Sequence, residues 1–414
     1  MGDRESAAGV LAVLTLAAAL GGAADGFEPA PTLKAADLAP PAILRGPKHI
    51  VEEEAQGDGF LVAFKVTSGF GTWDAVDREM LDVRVREVYV LAALSDVSQT
   101  EVFATAFAKA AGKKVQSVEH VVKDPAGTVK AIPGSVARFI KGVKVEAQGA
   151  KDKAKAGKQD ADSHASSATD KAMQAVAAGS DALVDEPRRA WAQKVGADPY
   201  TTNEALSAKL HDVAWAAYAG GFALNVALPP MPGLGAVQAT DTLVYRLPPG
   251  ELLKRNDERL QAAGVSDAAR KALFANRAFT PTLQTELAEA VAELGPVSGL
   301  SAVVSLAAES RTEGDARYIR RCVRLLALGA KDVGGWRALS TSGNEIEAVA
   351  ADGRLVLPWS VDYMTWNADT VPVETGPVAA AKVREVWISG VATDRAKQEL
   401  AARRFQVCER RPVG

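Results

Sequence analysis

The chain has 414 residues, of which 48% are hydrophobic and 24% charged, and its formal net charge is −3. These values are typical of globular proteins and exclude wholesale disorder, a collagen-like repeat and a polytopic membrane protein. Four His and two Cys are too few for a multi-ligand zinc scaffold or a disulfide-dense module, and the charge balance gives no argument for nucleic acid. We therefore expect no cofactor and no nucleic-acid partner.

Residues 1–24 have the pattern of a cleaved export signal. No charged side chain occurs from Ala7 to Ala24, and the apolar centre ends in the small residues 21–24. An apolar core followed by small residues predicts cleavage after Ala24 and a periplasmic or secreted mature protein. Arg4 is the only basic residue before the apolar run, so an uncleaved membrane anchor and a buried helix remain open alternatives.

The chain after the signal begins with a region that we interpret as an extended lead-in. Residues 25–58 contain five prolines and an acidic run, which argue against packed elements. Residues 59–144 follow as a small N-terminal α/β element. Its first part is predicted to be a β-hairpin, because apolar and polar residues alternate over 60–67 and a Ser-Gly-Phe-Gly turn signal follows.

Two helices are predicted next. Residues 79–94 fit both strand and helix spacing, but their Ala and Leu content, which rises along the chain, favours a helix. A second helix is predicted over 99–111, with Ser98 as its cap and Glu101 at the capping-box position.

The end of the N-terminal element is a basic amphipathic segment, residues 128–144. Its cations lie on the side opposite its apolar residues, and one aromatic side chain accompanies them, which would suit an anionic lipid surface. The candidate membrane-surface residues are Lys130, Arg138, Phe139, Lys141 and Lys144. Residues 145–172 lack aromatics and nearly all large apolar residues, so they predict a charged linker, formed either by coil or by a solvated helix.

Residues 173–340 predict a helical domain of successive amphipathic segments joined by short turns. Thr280 followed by Pro281 marks one helix start clearly. Residues 213–240 contain no charged side chain and are interrupted by two glycines and by the Pro-Pro-Met-Pro-Gly run at 229–233. Such a stretch is either the buried core of the domain or a hairpin that contacts a membrane.

Residues 341–414 predict a small C-terminal α/β unit. Strand patterns occur at 355–357, 383–388 and 405–408, and Thr393 caps a helix between the last two. A strand, a helix and a strand in so short a stretch predict a βαβ unit with parallel strands. The expected fold class is thus α+β and predominantly helical: a small N-terminal α/β element, a helical middle domain and a C-terminal βαβ unit.

Motifs of known chemistry are absent from the sequence. It contains no G-x-S-x-G, no H-E-x-x-H and no P-loop, and its four histidines have no ligand spacing. Gly390 lies between a strand and the Thr393 helix, where α/β sheets bind ligands, but one glycine more often marks a turn. We therefore assign no catalytic, cofactor-binding or metal residues.

Cys322 and Cys408 are the only cysteines. In an oxidising compartment they could form a disulfide between the helical domain and the C-terminal unit. Two unlinked buried thiols are the other interpretation, and the sequence leaves both open.

Four stretches, residues 197–206, 252–265, 280–295 and 383–407, resemble a group of uncharacterised exported bacterial proteins. The resemblance covers most of the mature chain and implies export and a shared architecture. It implies no activity, because no catalytic signature accompanies it.

The combined expectation is a non-enzymatic protein of the bacterial envelope that is associated with the membrane. It would bind an envelope partner or the anionic membrane surface. The first alternative is a membrane-active effector that inserts the 213–240 hairpin, and the second is an enzyme with an unrecognised site in the C-terminal unit.

Overall fold

The computed structural model describes residues 26–98, 100–110, 181–220, 242–372 and 376–413. Helices and three sheets combine in these ranges, so the fold is mixed α+β. Several predictions lie outside the described residues: the signal peptide, the linker, most of the uncharged stretch and the candidate membrane-surface residues Lys130, Arg138, Phe139, Lys141 and Lys144.

An antiparallel sheet forms the N-terminal part of the described chain. Its strands and short helices are β1 (Thr32–Lys34), α1 (Ala35–Leu38), α2 (Pro41–Leu44), β2 (Arg45–Gly46), β3 (His49–Val51), β4 (Glu54–Gly57), β5 (Val62–Ser68) and β6 (Gly71–Ala75). The strand order is β1-β4-β5-β3-β2, with β6 also paired to β5. The predicted hairpin is confirmed as β5 and β6, and Val62, Phe64 and Val66 alternate into the core.

The interpretation of residues 25–58 as an unpacked lead-in is wrong. Four of the strands lie in this region, and Ala35, Ile43, Val51 and Ala55 belong to the buried core of the sheet. The prolines do not prevent this, because they occupy places where a missing N–H is tolerated. Pro41, for example, stands in the first turn of α2.

The longest helix connects this sheet to the helices. Helix α3 (Arg78–Ser98) packs Leu81 and Val85 against the sheet, while Leu91 and Leu94 belong to the next core. The choice of helix over strand for 79–94 is therefore confirmed.

A group of four helices follows, built on α3. Its members are α4 (Glu101–Ala110), α5 (Asp181–Val195), α6 (Glu204–Gly220) and α7 (Thr242–Arg246). Helix α6 packs against α3, α4 and α5, and α7 packs against α5. The cap of α4 is Thr100 and not Ser98, because the Thr100 hydroxyl accepts from Phe103 N at 3.2 Å, whereas the Ser98 hydroxyl donates to Leu94 O.

Five further helices form an array with its own core. They are α8 (Pro249–Ala262), α9 (Asp267–Ala275), α10 (Pro281–Glu293), α11 (Leu300–Ala308) and α12 (Glu313–Gly329). Thr280 caps α10 as the sequence predicts, and Ser266 caps α9. Helix α12 begins with a capping box between Thr312 and Asp315.

The C-terminal sheet rests on this array. Its elements, with the short strands and helix beside it, are β7 (Trp336–Ser342), β8 (Glu345–Ala350), β9 (Leu355–Trp359), β10 (Tyr363–Met364), α13 (Gly376–Ala380), β11 (Arg384–Ile388), β12 (Val391–Ala392), α14 (Asp394–Ala402) and β13 (Phe405–Cys408). The order is β13-β11-β9-β8-β7, and β9, β11 and β13 are parallel. The predicted βαβ unit is confirmed as β11-α14-β13, whereas the sequence patterns do not predict β7 and β8.

Both faces of the C-terminal sheet are covered. Trp387 and Val356 face the helical array, while Leu355, Leu357 and Ile388 face α14. This burial explains why β9 reads as a continuous apolar run and not as an alternating one.

Candidate functional site

Helix α12 carries three arginines that point into the protein and not into solvent. Arg317, Arg320 and Arg321 are each less than a tenth exposed. They share one side of the helix, as residues three or four positions apart do. Carboxylates from other elements, together with Glu313 of α12 itself, surround them, and we call the whole set the arginine–carboxylate cluster. Its members are Asp77, Glu79, Glu286, Glu313, Arg317, Arg320, Arg321 and Asp362.

Glu79, in the first turn of α3, lies beside all three guanidiniums of the cluster. Arg320 donates to its carboxylate, and Arg317 Nη1 lies 3.1 Å from Glu79 Oε1. Burial alone raises the pKa of Glu79, but the guanidiniums of Arg320, Arg317 and Arg321 outweigh it and bring the pKa to about 2. Glu79 is therefore ionised at neutral and mildly acidic pH.

Arg321 connects the start of α3 to the end of β9. Its Nη1 lies 3.3 Å from Asp77 Oδ2, and its Nη2 donates to the carbonyl of Ser360 at 3.3 Å. Asp77 is fully buried and caps α3, because its Oδ1 accepts from Met80 N at 2.6 Å. Among the described residues, Arg321 is thus the cation that forms a salt bridge with the buried carboxylate of Asp77.

Asp362 makes a second connection between the same regions. Its Oδ2 accepts from Val62 N at 3.1 Å and from Arg78 N at 3.2 Å, and its own N–H donates to Phe60 O. Burial raises the pKa of Asp362 to about 7, with Arg321 acting against this shift and Asp77 adding to it. One aspartate after β9 therefore holds the start of both β5 and α3.

The turn between α5 and α6, residues 198–203, extends the network, and we call it the polar turn. Glu87 of α3 accepts hydrogen bonds from Thr201 and, at 3.0 Å, from Asn203 Nδ2. Thr202 donates to Glu313 at 2.5 Å and so joins the turn to α12.

Asp198 anchors the other end of the polar turn. Its Oδ1 accepts from the Thr282 hydroxyl at 2.6 Å and from Tyr200 N at 2.8 Å. Burial raises the pKa of Asp198 to about 6, against the lowering effect of these bonds. The polar turn therefore touches α3, α10 and α12.

The cluster crosslinks elements of the fold that are distant in the sequence. Its carboxylates lie against guanidiniums or backbone N–H groups of other elements, and no group of three His, Cys, Asp or Glu in the described ranges could hold a metal ion. Since a buried ion pair broken on one side leaves an uncompensated charge, such contacts hold their elements together strongly.

The carboxyl ends of β9 and β11, where α/β sheets bind ligands, are filled by the chain itself. Ser389 Oγ donates to Val361 O at 2.8 Å, and the backbone N–H groups of residues 362, 363 and 365 donate to the carbonyls of Gly59 and Phe60. A Cβ on Gly390 would lie 1.9 Å from Asp362 O. This geometry fits the structural-turn interpretation of Gly390 and does not favour a ligand site.

The remaining candidates take ordinary structural places. Cys322 and Cys408 are free thiols, so the disulfide considered from the sequence is absent from the structure. Cys322 is buried inside α12 beside Tyr318, and burial raises the pKa of its thiol to about 11. His211 accepts from Trp215 Nε1 at 2.8 Å, one turn along α6.

One signal in the sequence points to the cluster but is not specific for it. Arginines recur at positions 317, 320, 321 and 324, which is one helical face. Such a face is usually solvated, and only contacts with residues about 240 positions away show that most of it is buried.

Comparison with known proteins adds no relatives. No protein-family model matches the chain, and no curated protein or solved structure matches it significantly. Within the described ranges, no helix has the length and apolarity needed to cross a membrane.

Replacing Arg321 with Met should destabilise the protein by about 3–5 kcal/mol, because buried Asp77 loses its charged partner. Urea unfolding monitored by circular dichroism measures the change. Arg324→Met is the matched control on the same helix, since Arg324 pairs with Glu293 at the surface and should contribute at most about 1 kcal/mol. Equal losses in both variants would contradict the role of Arg321.

The melting temperature should be highest at mildly acidic pH. Asp362 and Asp198, with pKa values of about 7 and about 6 against an ordinary 3.8, disfavour ionisation in the folded state, so stability rises as the pH falls through these values. Below about pH 4 stability should fall again, because Glu79 with its pKa of about 2 must give up its ion pairs.

Calorimetry between about pH 3 and pH 8 measures this dependence. In Asp362→Asn the melting temperature should fall less between about pH 5 and pH 8 than in the wild type. The exposed control Asp352→Asn should show the same fall as the wild type. A wild-type melting temperature that rises steadily from pH 5 to pH 8 would contradict the predicted loss of stability over this range.

Gly390→Ala should destabilise the protein by about 1–3 kcal/mol, because the added methyl group meets the Asp362 carbonyl. Gly69→Ala is the matched control, since nothing lies within 4 Å of a Cβ there and its φ is not positive. Thermal unfolding decides the point: a Gly390→Ala variant as stable as the wild type would show that the close packing does not matter.

Proposed function

We propose that the chain is an exported, non-enzymatic protein of the bacterial envelope that binds the anionic surface of a membrane. One structural observation carries this proposal. The two segments whose composition suits a membrane begin and end on the same group of helices.

The connections make this plain. Helix α4 ends at residue 110 and α5 begins at 181, so the basic segment 128–144 is inserted between them. Helix α6 ends at residue 220 and α7 begins at 242, so the uncharged residues 221–240 are inserted there. Helices α4, α5 and α6 share one apolar core, to which Phe103, Trp191 and Leu210 belong.

The group is also firmly attached to the rest of the protein. Its core continues into α3, and the polar turn bonds it to Glu87 and Glu313. A binding segment inserted into a fixed group of helices has fixed points of exit and entry, which lowers the conformational entropy lost on binding.

The electrostatic contribution can be estimated. Each Lys or Arg near an anionic leaflet contributes about 1 kcal/mol, and the contribution weakens with salt. Lys130, Arg138, Lys141 and Lys144 together would then contribute about 4 kcal/mol, which is close to a thousandfold in affinity.

Vesicle flotation tests the proposal. The mature chain, residues 25–414, should float with vesicles of phosphatidylcholine and phosphatidylglycerol at low salt, and it should stay below with phosphatidylcholine alone. Replacing the four cations by Gln should reduce binding roughly 100- to 1,000-fold. The matched control replaces four exposed cations of the described surface, Lys65, Lys254, Arg255 and Lys271, by Gln and changes the net charge equally.

Three outcomes would count against the proposal. The wild type could fail to float at low salt, both quadruple variants could lose binding equally, or binding could resist high salt. Salt-resistant binding together with release of trapped dye would support the alternative of an effector that inserts its uncharged stretch into the bilayer.

A further inference from the structure

The last strand of the chain leaves one edge of the C-terminal sheet open. Strand β13 pairs on one side with β11, and no strand of the described chain follows it on the other side. The opposite edge, β7, is different, because Leu339 N donates to Ser298 O and so ties that edge to the neighbouring loop. Strand β13 thus presents unpaired backbone N–H and C=O groups along its outer side.

The two ends of β13 carry unpartnered arginines. Arg404 precedes the strand and Arg410 follows it by two residues; both are exposed, and neither has a carboxylate partner within the described chain. Both have a positive φ, 64° and 55°, so the backbone turns sharply at each end of the strand.

The neighbouring arginines fix these turns in place. Arg403 binds Glu399 and lies over the Trp366 ring at 4.5 Å. Arg411 binds Asp332 and lies over the Trp387 ring at 4.2 Å. The open edge is therefore held in a fixed conformation before any partner arrives.

The surroundings of the strand are positively charged, although the whole chain is not. Residues 382–411 contain eight Lys or Arg against four Asp or Glu, in a chain of net charge −3. All four of these carboxylates already have cationic partners: Glu385 with Arg354, Asp394 and Glu409 with Lys397, and Glu399 with Arg395 and Arg403. The surplus charge at the strand ends is left for another molecule.

We propose that the open edge of β13 binds an extended acidic peptide segment of another protein as an added strand. The peptide backbone would pair with β13, which gives affinity, and carboxylates near its two ends would meet Arg404 and Arg410, which gives selectivity. Five residues lie between the arginines, so the carboxylates must be at most about 20 Å apart, near the two ends of a segment of about seven residues.

A second copy of this chain fits the edge poorly. Antiparallel pairing of two β13 strands would place the arginines at 403 and 404 of each chain near those at 410 and 411 of the other. Like charges opposite each other on paired strands are destabilising. The same charges that repel a second copy attract an acidic partner.

This inference does not depend on the membrane proposal, because β13 lies in the C-terminal sheet and the membrane segments are inserted in the group of helices α4–α7. The probe is a fluorescent peptide, Glu-Thr-Val-Thr-Val-Thr-Glu, with both termini blocked. Two control peptides accompany it: one with Lys at both ends, and one with its five central amides N-methylated so that it cannot pair as a strand.

Fluorescence anisotropy with the full chain should show binding of the acidic peptide and at least tenfold weaker binding of both control peptides. Amide hydrogen exchange at residues 405–408 should slow in the complex. The double variant Arg404→Asn with Arg410→Asn should bind roughly three- to tenfold more weakly, as expected for the loss of two exposed ion pairs. Asn tolerates a positive φ, so these exposed changes should preserve the fold.

The matched control variant carries Arg255→Gln and Lys271→Gln on the helical array and should bind as the wild type does. The proposal is overturned by equal binding of the N-methylated or the Lys peptide, or by unchanged exchange at 405–408. It is also overturned by no binding at about 1 mM peptide, or by a wild-type dimer in sedimentation equilibrium that protects the same amides.

Discussion

The ion pair between Arg321 and Asp77 is the contact on which the rest of the structure depends. Both side chains are almost completely removed from solvent, and Asp77 would be a buried charge without its ion pair to Arg321. Asp77 starts the long helix α3, and Arg321 also reaches the Ser360 carbonyl after β9. Together with Asp362, which bonds to the start of β5 and of α3, this pair joins the antiparallel sheet, the helices and the C-terminal sheet at one place.

This junction has consequences for how the protein can bind. The carboxylates of the cluster are engaged by arginines and backbone N–H groups, so the cluster acts as a rigid frame. Binding of other molecules would then depend on the segments and strands attached to this frame. On one side the frame holds the helices from which the basic and uncharged segments leave and to which they return. On another side it holds the C-terminal sheet, whose last strand ends in arginines without partners. Two binding surfaces of different chemistry would then share one rigid support.

Local features of the fold could be predicted from the sequence, and long-range ones could not. The β5–β6 hairpin, the caps at Ser266, Thr280 and Thr393, and the β11-α14-β13 unit follow from alternation, capping and turn signals within a few residues. Strands β1 to β4 could not be predicted from the sequence. The prolines in this region suggest an extended chain, whereas the strands form by pairing with partners elsewhere in the sheet. The arginine–carboxylate cluster could not be predicted for a similar reason. Glu79 and Arg320 are 241 residues apart in the sequence, and each alone is typical of a solvated helix face.

Native-state hydrogen exchange tests most directly whether the cluster makes these parts one cooperative frame. Amides in β5, α12 and β11 should exchange with the same opening free energy in the wild type, because breaking the junction exposes all three cores together. In Arg321→Met that common value should fall by the same amount in all three elements. If the β5 amides open at a distinct, lower free energy that the substitution leaves unchanged, the N-terminal sheet is an independent unit and the cluster is not the junction.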